Sequence, residues 1–393
     1  MWIDSITQVN KDDWNALAIP LSTPFLEWEF FYLLEMSKSV DPDKGWIPYH
    51  LTLWRGSRLI AIAPLFIKLN SEGEFLYDYH WANYYNQLGG SYFPKMLGMT
   101  PFTPVTGYQF LIASGEKEYE INRLLLSLID NFCLNNFFSS CHFLFPDFRW
   151  RVQIETLGYN TWIHNGFIWL NQNYSSFDEF LHTFKSGQRK NIKREKNSLH
   201  MNGLTIQYHE GENIPPHFFS LMYECYSNTC DKYSESKTKY LTQKFFLELP
   251  NVYLHRVMFI AAYSKENSHL PISLSFYIKK GHRLYGRYWG TQSYYPFLHF
   301  NMCYYQSIEY AIAHKLKVFD PGAGGDHKPR RGFPHYLMFS LHRFYNMQMQ
   351  HVIQEYLKEI NMSEIKTMLI ENKELPFKIP KSKVFYGIQW RNQ

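Results

Sequence analysis

The segment LPISLSFYIKKGHRLYGRYWG (270–290) decides the reading of the fold. It holds two apolar runs, 270–279 and 283–289, and Gly281-His282 turns the chain between them, so it reads as two strands of a hairpin. A further strand over 253–263 precedes it. A helix over 300–314 follows, and then the strand Lys317 to Asp320, stopped by Pro321-Gly322. The first half of the chain shows the same order. His50 to Trp54, Leu59 to Leu69 and Phe75 to Trp81 read as strands, 119–137 as a helix, and His142 to Phe145 as a strand stopped by Pro146.

The likeness reaches individual residues. LIAIAPLFIK (59–68) parallels LPISLSFYIK (270–279), and FLYDYHW (75–81) parallels RLYGRYW (283–289). Chance similarity of two amphipathic hairpins is the simpler account, and the shared order of elements argues against it. A duplication of this period means one fold unit used twice, so 59–81 is expected to superpose on 270–289. The expected fold class is α+β, with a first domain over 1–165 and a second over 166–393 that carries a C-terminal helical tail. Outside the repeat, 24–40 has helical spacing, 177–200 reads as a basic helix, and 217–248 as a helical pair with a polar break. Amphipathic helix follows residue 350, and Lys383 to Trp390 reads as a closing strand.

With 393 residues, each half can bury its own core. Phe, Tyr and Trp make up 19% of the chain, which suits either grooves for large, partly polar ligands or a simple lineage bias. The net charge of +5 fits a phosphate-bearing ligand without demanding nucleic acid. No run of about 18 apolar residues occurs, so no membrane span is expected, and 1–14 is unlike a secretory leader. The five cysteines form no CxxC and read as reduced thiols of a cytoplasmic protein, with no metal site expected.

The densest chemistry lies in 284–333. The strand ending in Asp320 opens into Pro321-Gly322-Ala323-Gly324-Gly325, whose backbone N–H groups can cradle an anion or oxyanion. A plain tight turn is the alternative. It loses weight because Asp320, Asp326, His327, Lys328, Arg330 and Arg331 crowd the same loop. Lys328 is not followed by Ser or Thr, so this is no Walker loop. Arg287, flanked by Gly286 and Tyr288, reads either as a carboxylate or phosphate clamp or as an exposed cross-strand partner. Arg189, Lys193 and Lys196 share one face of the basic helix, with Lys190 and Arg194 on the next: a phosphate-binding face or a solvated one. On the later helix, Tyr304 and Tyr305 read mostly as core. Glu309 reads as solvated or as the structural partner of an arginine. No GxSxG, Cys–His pair or HExxH occurs, so nucleophilic catalysis has no support. Direct acyl transfer to an amine needs only a base and oxyanion donors.

Together these segments resemble the FemAB-like family of predicted N-acyltransferases, a peptidoglycan biosynthesis and recognition family. The resemblance covers nearly the whole chain. Its blocks include TPFLEWEFFYLLE (23–35), GWIPYHL (45–51), APLFIKLNSEGEFLYDYHWA (63–82), YFPKMLGMTPFTPVTG (92–107), LYGRYWG (284–290), HFNMCYYQSIEYAI (299–312) and GAGGDHKPRRGF (322–333). It implies tandem GNAT-like domains, each a mixed, mostly antiparallel sheet with flanking helices, in a cytoplasmic bacterial enzyme. It also implies an amine-bearing acceptor linked to peptidoglycan or cell-envelope precursors. The donor is aminoacyl-tRNA or acyl-CoA, with no permanently bound cofactor. The chain departs from the family pattern where an acidic residue follows His-Phe, here Asn301, and where glutamine stands, here Gly324. The resemblance therefore does not assign the base. The acetyltransferase pyrophosphate signature is absent, which argues against simple acetyl-CoA use.

The resulting expectation is an amine acyltransferase with Asp320 or His327 as base and N–H groups of Gly322, Gly324 and Gly325 for the oxyanion. Arg287, Lys328 and Arg331 would hold an anionic part of donor or acceptor, and Arg189, Lys193 and Arg194 the donor's phosphates. The alternative is a non-catalytic protein that recognises peptidoglycan peptides. The oligomeric state is not set by the sequence.

Overall fold

A computed structural model describes residues 1–233, 238–266 and 269–378. The chain forms two compact units, Met1–Asn165 with Leu337–Thr367, and Gly166–Tyr336 with the segment from Met368 on. The single second domain expected over 166–393 is thus interrupted. The reason is the strand His335–Phe344, which pairs antiparallel with Ser140–Leu144, Ser340 opposite Leu144 and Phe344 opposite Ser140. An apolar strand does not announce its partner in sequence, because what it needs is a half-buried surface to pack on. The expected closing strand at 383–390 lies outside the described residues.

The first unit holds a four-stranded antiparallel sheet and a mixed one. In the mixed sheet Phe66–Lys68 pairs antiparallel with Lys95–Gly98, which pairs parallel with Ser140–Leu144. The helix Glu118–Asn135 lies between those parallel strands in sequence.

The second unit holds one six-stranded sheet, in the order Trp169–Leu170, Val318–Asp320, Arg283–Thr291, Ser273–Lys280, Val257–Ser264 and Leu204–Glu210. Only the pair 283–291 with 318–320 is parallel. The helical stretch between them runs from Leu298 to Ala313 and contains a π-turn at Asn301–Tyr305. Met258, Ile260, Tyr277, Leu284 and Phe319 from the strands pack with Tyr304, Tyr305, Ile308 and Ile312 from this stretch. Each such fully buried side chain contributes about 1.5–3 kcal/mol.

Both units therefore repeat an antiparallel hairpin, a helix and a parallel strand, the mixed and mostly antiparallel sheet of a GNAT-like domain. The residue equivalence differs from the expected one. The first unit's counterpart of 283–291 is Lys95–Gly98, not Phe75–Trp81. Residues 75–78 form no strand, and Tyr79–Gln87 is a helix. Phe75 has φ +58°, which breaks an extended run. Glu74 and Asp78 turn inward to hold the buried Lys95 at 2.8 and 2.5 Å. The run 59–68 also splits, Arg58–Ala63 joining the four-stranded sheet and Phe66–Lys68 the mixed one. Pro64 has no N–H to donate to a ladder, whereas Pro271 falls before the first paired residue of its strand.

The basic segment is two helices, Phe177–His182 and Ser186–Met201, and a long helix spans Met347–Glu374. Among the described residues, no helix is long and apolar enough to cross a membrane.

Candidate active site in the second unit

The parallel strands stay paired for three residues only, from Arg283 opposite Val318 to Tyr285 opposite Asp320. Beyond that point the 283–291 strand continues and the other strand leaves the sheet at Pro321, so among the described residues the edge from Gly286 on has no strand partner. The glycine loop fills the start of this gap. Gly322 has φ +82°, and a Cβ there would stand 3.2 Å from the Gly286 carbonyl, so no other residue fits without strain. Gly324 and Gly325 also have positive φ.

Asp320 is buried at the end of its strand, and its Oδ1 accepts the Gly322 N–H at 2.8 Å. One of the three loop N–H groups expected to serve an oxyanion is thereby already engaged. Burial pushes the Asp320 carboxyl above its ordinary range, opposed by that hydrogen bond and by Lys328 and Arg287. Lys328 is buried too, and its Nζ donates to the carbonyls of Gly322 at 2.6 Å and Ala323 at 3.2 Å. Burial pulls its ammonium down to about 8, with Asp320 opposing.

His327 is half-buried between the loop and the helical stretch. Its Nε2 meets the Tyr304 hydroxyl at 2.8 Å, and its ring lies against Phe300 and His299. Burial, then Arg331 and Lys328, hold His327 below the ordinary imidazole range, so it is neutral at neutral pH. His299 is pulled down to about 4, by burial first and then by its ionisable neighbours, of which Lys328 and Arg331 carry the standing positive charge.

Arg331 is also buried, but a protein carboxylate holds it. Its Nε and Nη2 donate to the two oxygens of Glu195 at 3.0 and 2.7 Å, and its Nη1 donates to the His327 carbonyl at 2.9 Å. Its guanidinium lies 3.4 Å over the Phe300 ring, and the Tyr305 hydroxyl also donates to Glu195. The arginine expected to grip a ligand is internally paired. Arg287 is half-exposed on the 283–291 strand, 5.5 Å over the Tyr288 ring and within electrostatic reach of Asp320.

The basic helix divides differently from its sequence faces. Arg189 donates to the Phe184 carbonyl at 2.6 Å and is half-buried. Lys196 pairs with Glu309, whose partner is thus a lysine, not an arginine. Lys193 and Arg194 are exposed, and Arg194 lies 5.8 Å over the Phe297 ring. Asn301 is fully buried, and its Nδ2 donates to the carbonyls of Glu195 and Phe297. A carboxylate there would face those acceptors with no proton to offer, so this position is built for an amide.

Reading the sequence missed Glu195, His299 and the pairing role of Tyr304. Glu195 carried a signal: with Ile192 and Leu199 it falls on the buried face of a cationic helix, where a carboxylate needs a cation. His299 carried none beyond its place in the 299–312 block.

The FemAB-like family model, described as peptidoglycan biosynthesis/recognition, matches residues 5–379. The chain belongs to the FemAB-like family. No curated protein matches it. Among solved structures, FemX aligns with a TM-score of 0.52 at 11% identity, over 90% of this chain and all of that one. L-PGS from Bacillus licheniformis aligns with a TM-score of 0.50 at 8% identity, over 86% and 98%. The C-terminal domain of a putative lysylphosphatidylglycerol synthetase from Agrobacterium fabrum gives 0.52 at 7%, over 90% and 97%. At these identities the likeness is one of fold, and this FemAB-like chain shares that fold along most of its length.

Proposed function

We propose that the chain transfers an acyl or aminoacyl group to an amine of a peptidoglycan or cell-envelope precursor, at the gap between strands 283–291 and 318–320. The observation that carries this reading is the neutral His327 beside Tyr304, at the mouth of a glycine loop. An amine attacking an ester or thioester needs an unprotonated base within reach and donors for the oxyanion. His327 supplies the first. The N–H groups of Gly324 and Gly325 supply the second, since Gly322 is held by Asp320.

In the transfer, the amine nitrogen forms the new C–N bond and the donor's C–O or C–S bond breaks. His327 takes the amine proton, and the imidazolium returns it to the leaving oxygen or sulfur. The Tyr304 hydroxyl orients the ring, Lys328 supplies positive charge within the loop, and Asp320 fixes the Gly322 turn. Arg287, Lys193 and Arg194 remain the cations for an anionic donor, which is aminoacyl-tRNA or acyl-CoA.

The internal pairing of Arg331 and Lys328 favours a second reading, a protein that recognises peptidoglycan peptides without turnover. The test is to incubate the chain with aminoacyl-tRNA or acyl-CoA donors and a lysine-bearing muramyl peptide, and to weigh the peptide. A gain of one acyl group, lost in His327→Ala, supports transfer. Saturable peptide binding with no mass change under any donor supports recognition alone.

A further inference from the structure

In the first unit, the segment Glu74 to Tyr79 reverses the usual sense of burial. Glu74, Leu76 and Asp78 face inward, while Phe75, Tyr77 and Tyr79 face out, 44%, 82% and 58% exposed. The carboxylates are fixed by the buried Lys95, Asp78 also accepts the Tyr92 hydroxyl at 2.8 Å, and Glu74 keeps one oxygen unpartnered. Burying charges while exposing rings opposes stability on both counts. Where a chain breaks a local rule in this way, function is the first account to seek.

The surface continues along the helix Tyr79–Gln87. His80 lies 3.9 Å from the Tyr79 ring, Tyr84 and Tyr85 are half-exposed, and Asn83, Asn86 and Gln87 are exposed. From Tyr79 to Pro94 the chain carries no Lys, Arg, Asp or Glu. Rings and neutral amides without a charge match a ligand that is itself uncharged, with apolar faces and many hydroxyls or amides. A nucleic-acid strand would need cations, and this segment supplies no Lys or Arg.

We propose that Tyr77, Tyr79 and the neighbouring Asn83 and Asn86 form a binding surface for a neutral oligosaccharide. The rings stack on sugar faces, and the amides pair with hydroxyl or acetamido groups. The buried Glu74–Lys95–Asp78 set holds the rings outward before the ligand arrives, so little ordering remains to be done on binding. This inference is independent of the transfer reading, which concerns the second unit.

The test is titration of the full chain with chitotetraose, followed by calorimetry and by saturation-transfer NMR. Binding is expected to change little between about 50 and about 200 mM salt, where a phosphate-bearing ligand would lose affinity steeply. The double variant Tyr77→Ala/Tyr79→Ala should bind about tenfold more weakly or worse. Tyr77→Phe/Tyr79→Phe should keep most of the affinity, because it keeps the rings. Both positions are exposed, so melting temperature serves as the folding control. Absent binding, binding equal in wild type and the Ala variant, or a single-stranded RNA that binds through these same rings would each overturn the proposal.

Discussion

Arg331 and Glu195 form a bidentate pair, Nε to Oε2 at 3.0 Å and Nη2 to Oε1 at 2.7 Å, with both side chains buried. Removing one member leaves an uncompensated charge in the core. Glu195→Ala or Arg331→Ala is therefore expected to lose about 3–5 kcal/mol of unfolding free energy, read from urea denaturation. Replacing both by Leu and Met should recover most of that loss. If Arg331→Ala instead weakens ligand binding while its urea midpoint stays put, the arginine serves a ligand and not the fold.

His327 carries the next expectation. His327→Ala should lower turnover by about a hundredfold or more with KM little changed, because a base acts in the transition state and not in binding. Tyr304→Phe removes only the hydroxyl that orients the ring, and should fall between wild type and His327→Ala. Equal rates for wild type and His327→Ala across the pH range would move the base elsewhere, with Asp320 the next to test.

Much of this arrangement is legible in the sequence alone. The hairpin 273–280/283–291 was plain because Gly281 and the two apolar runs leave one way to fold, and Pro321-Gly322 marked the end of the strand that bears Asp320. That Asp320 and Lys328 come within electrostatic reach of each other followed from their sitting on one short loop, whereas His327 turns to Tyr304. Three things were hidden. Residues 74–79 alternate as a strand does, but their aromatic members face outward, and the periodicity does not say which face is buried. The partner of 335–344 is 200 residues away in the chain, as His342 opposite His142 shows. Glu195 looked like one anion among many cations, although its spacing from Ile192 and Leu199 set it on the buried face.

Lys328 gives a pH dependence with a definite sign. Its pKa falls from 10.5 when unfolded to about 8 in the folded chain. Between those values the unfolded state holds more protons, so this group makes stability rise with pH from about 8 to about 10.5. Lys328→Met should flatten that rise in a series of urea melts. Over the same interval the folded lysine loses its charge, so affinity for an anionic ligand at the loop should decline above pH about 8. A stability curve of the same slope in Lys328→Met would assign the rise to other groups.

The first unit offers the opposite arm. Nδ1 of His142 and Nδ1 of His342 stand 2.8 Å apart, and Ser340 links His342 Nε2 to His164 Nε2 through two 2.6 Å contacts. One of the two facing Nδ1 atoms must carry a hydrogen and the other must not, so the accepting ring is neutral and the pair cannot hold two protonated rings. Burial is the main reason that His142 and His342 lie well below the ordinary imidazole range, and it pulls His164 down to about 4. Lys95 also lowers both members of the pair, while Asp78 opposes it at His342. Since the unfolded rings titrate near about 6.5, the unfolded state binds more protons below that value. The stability these groups confer is full above pH about 6.5 and is lost progressively as the pH falls below it. Replacing His142 and His342 together by Leu and Met removes both titrating rings without leaving an orphaned nitrogen between them. The double variant should therefore lose less stability than wild type between pH about 7 and about 5, as read by urea melts at each pH. An acid arm as steep in the double variant as in wild type would place the acid sensitivity elsewhere, with the remaining buried ring of His164 the first to replace.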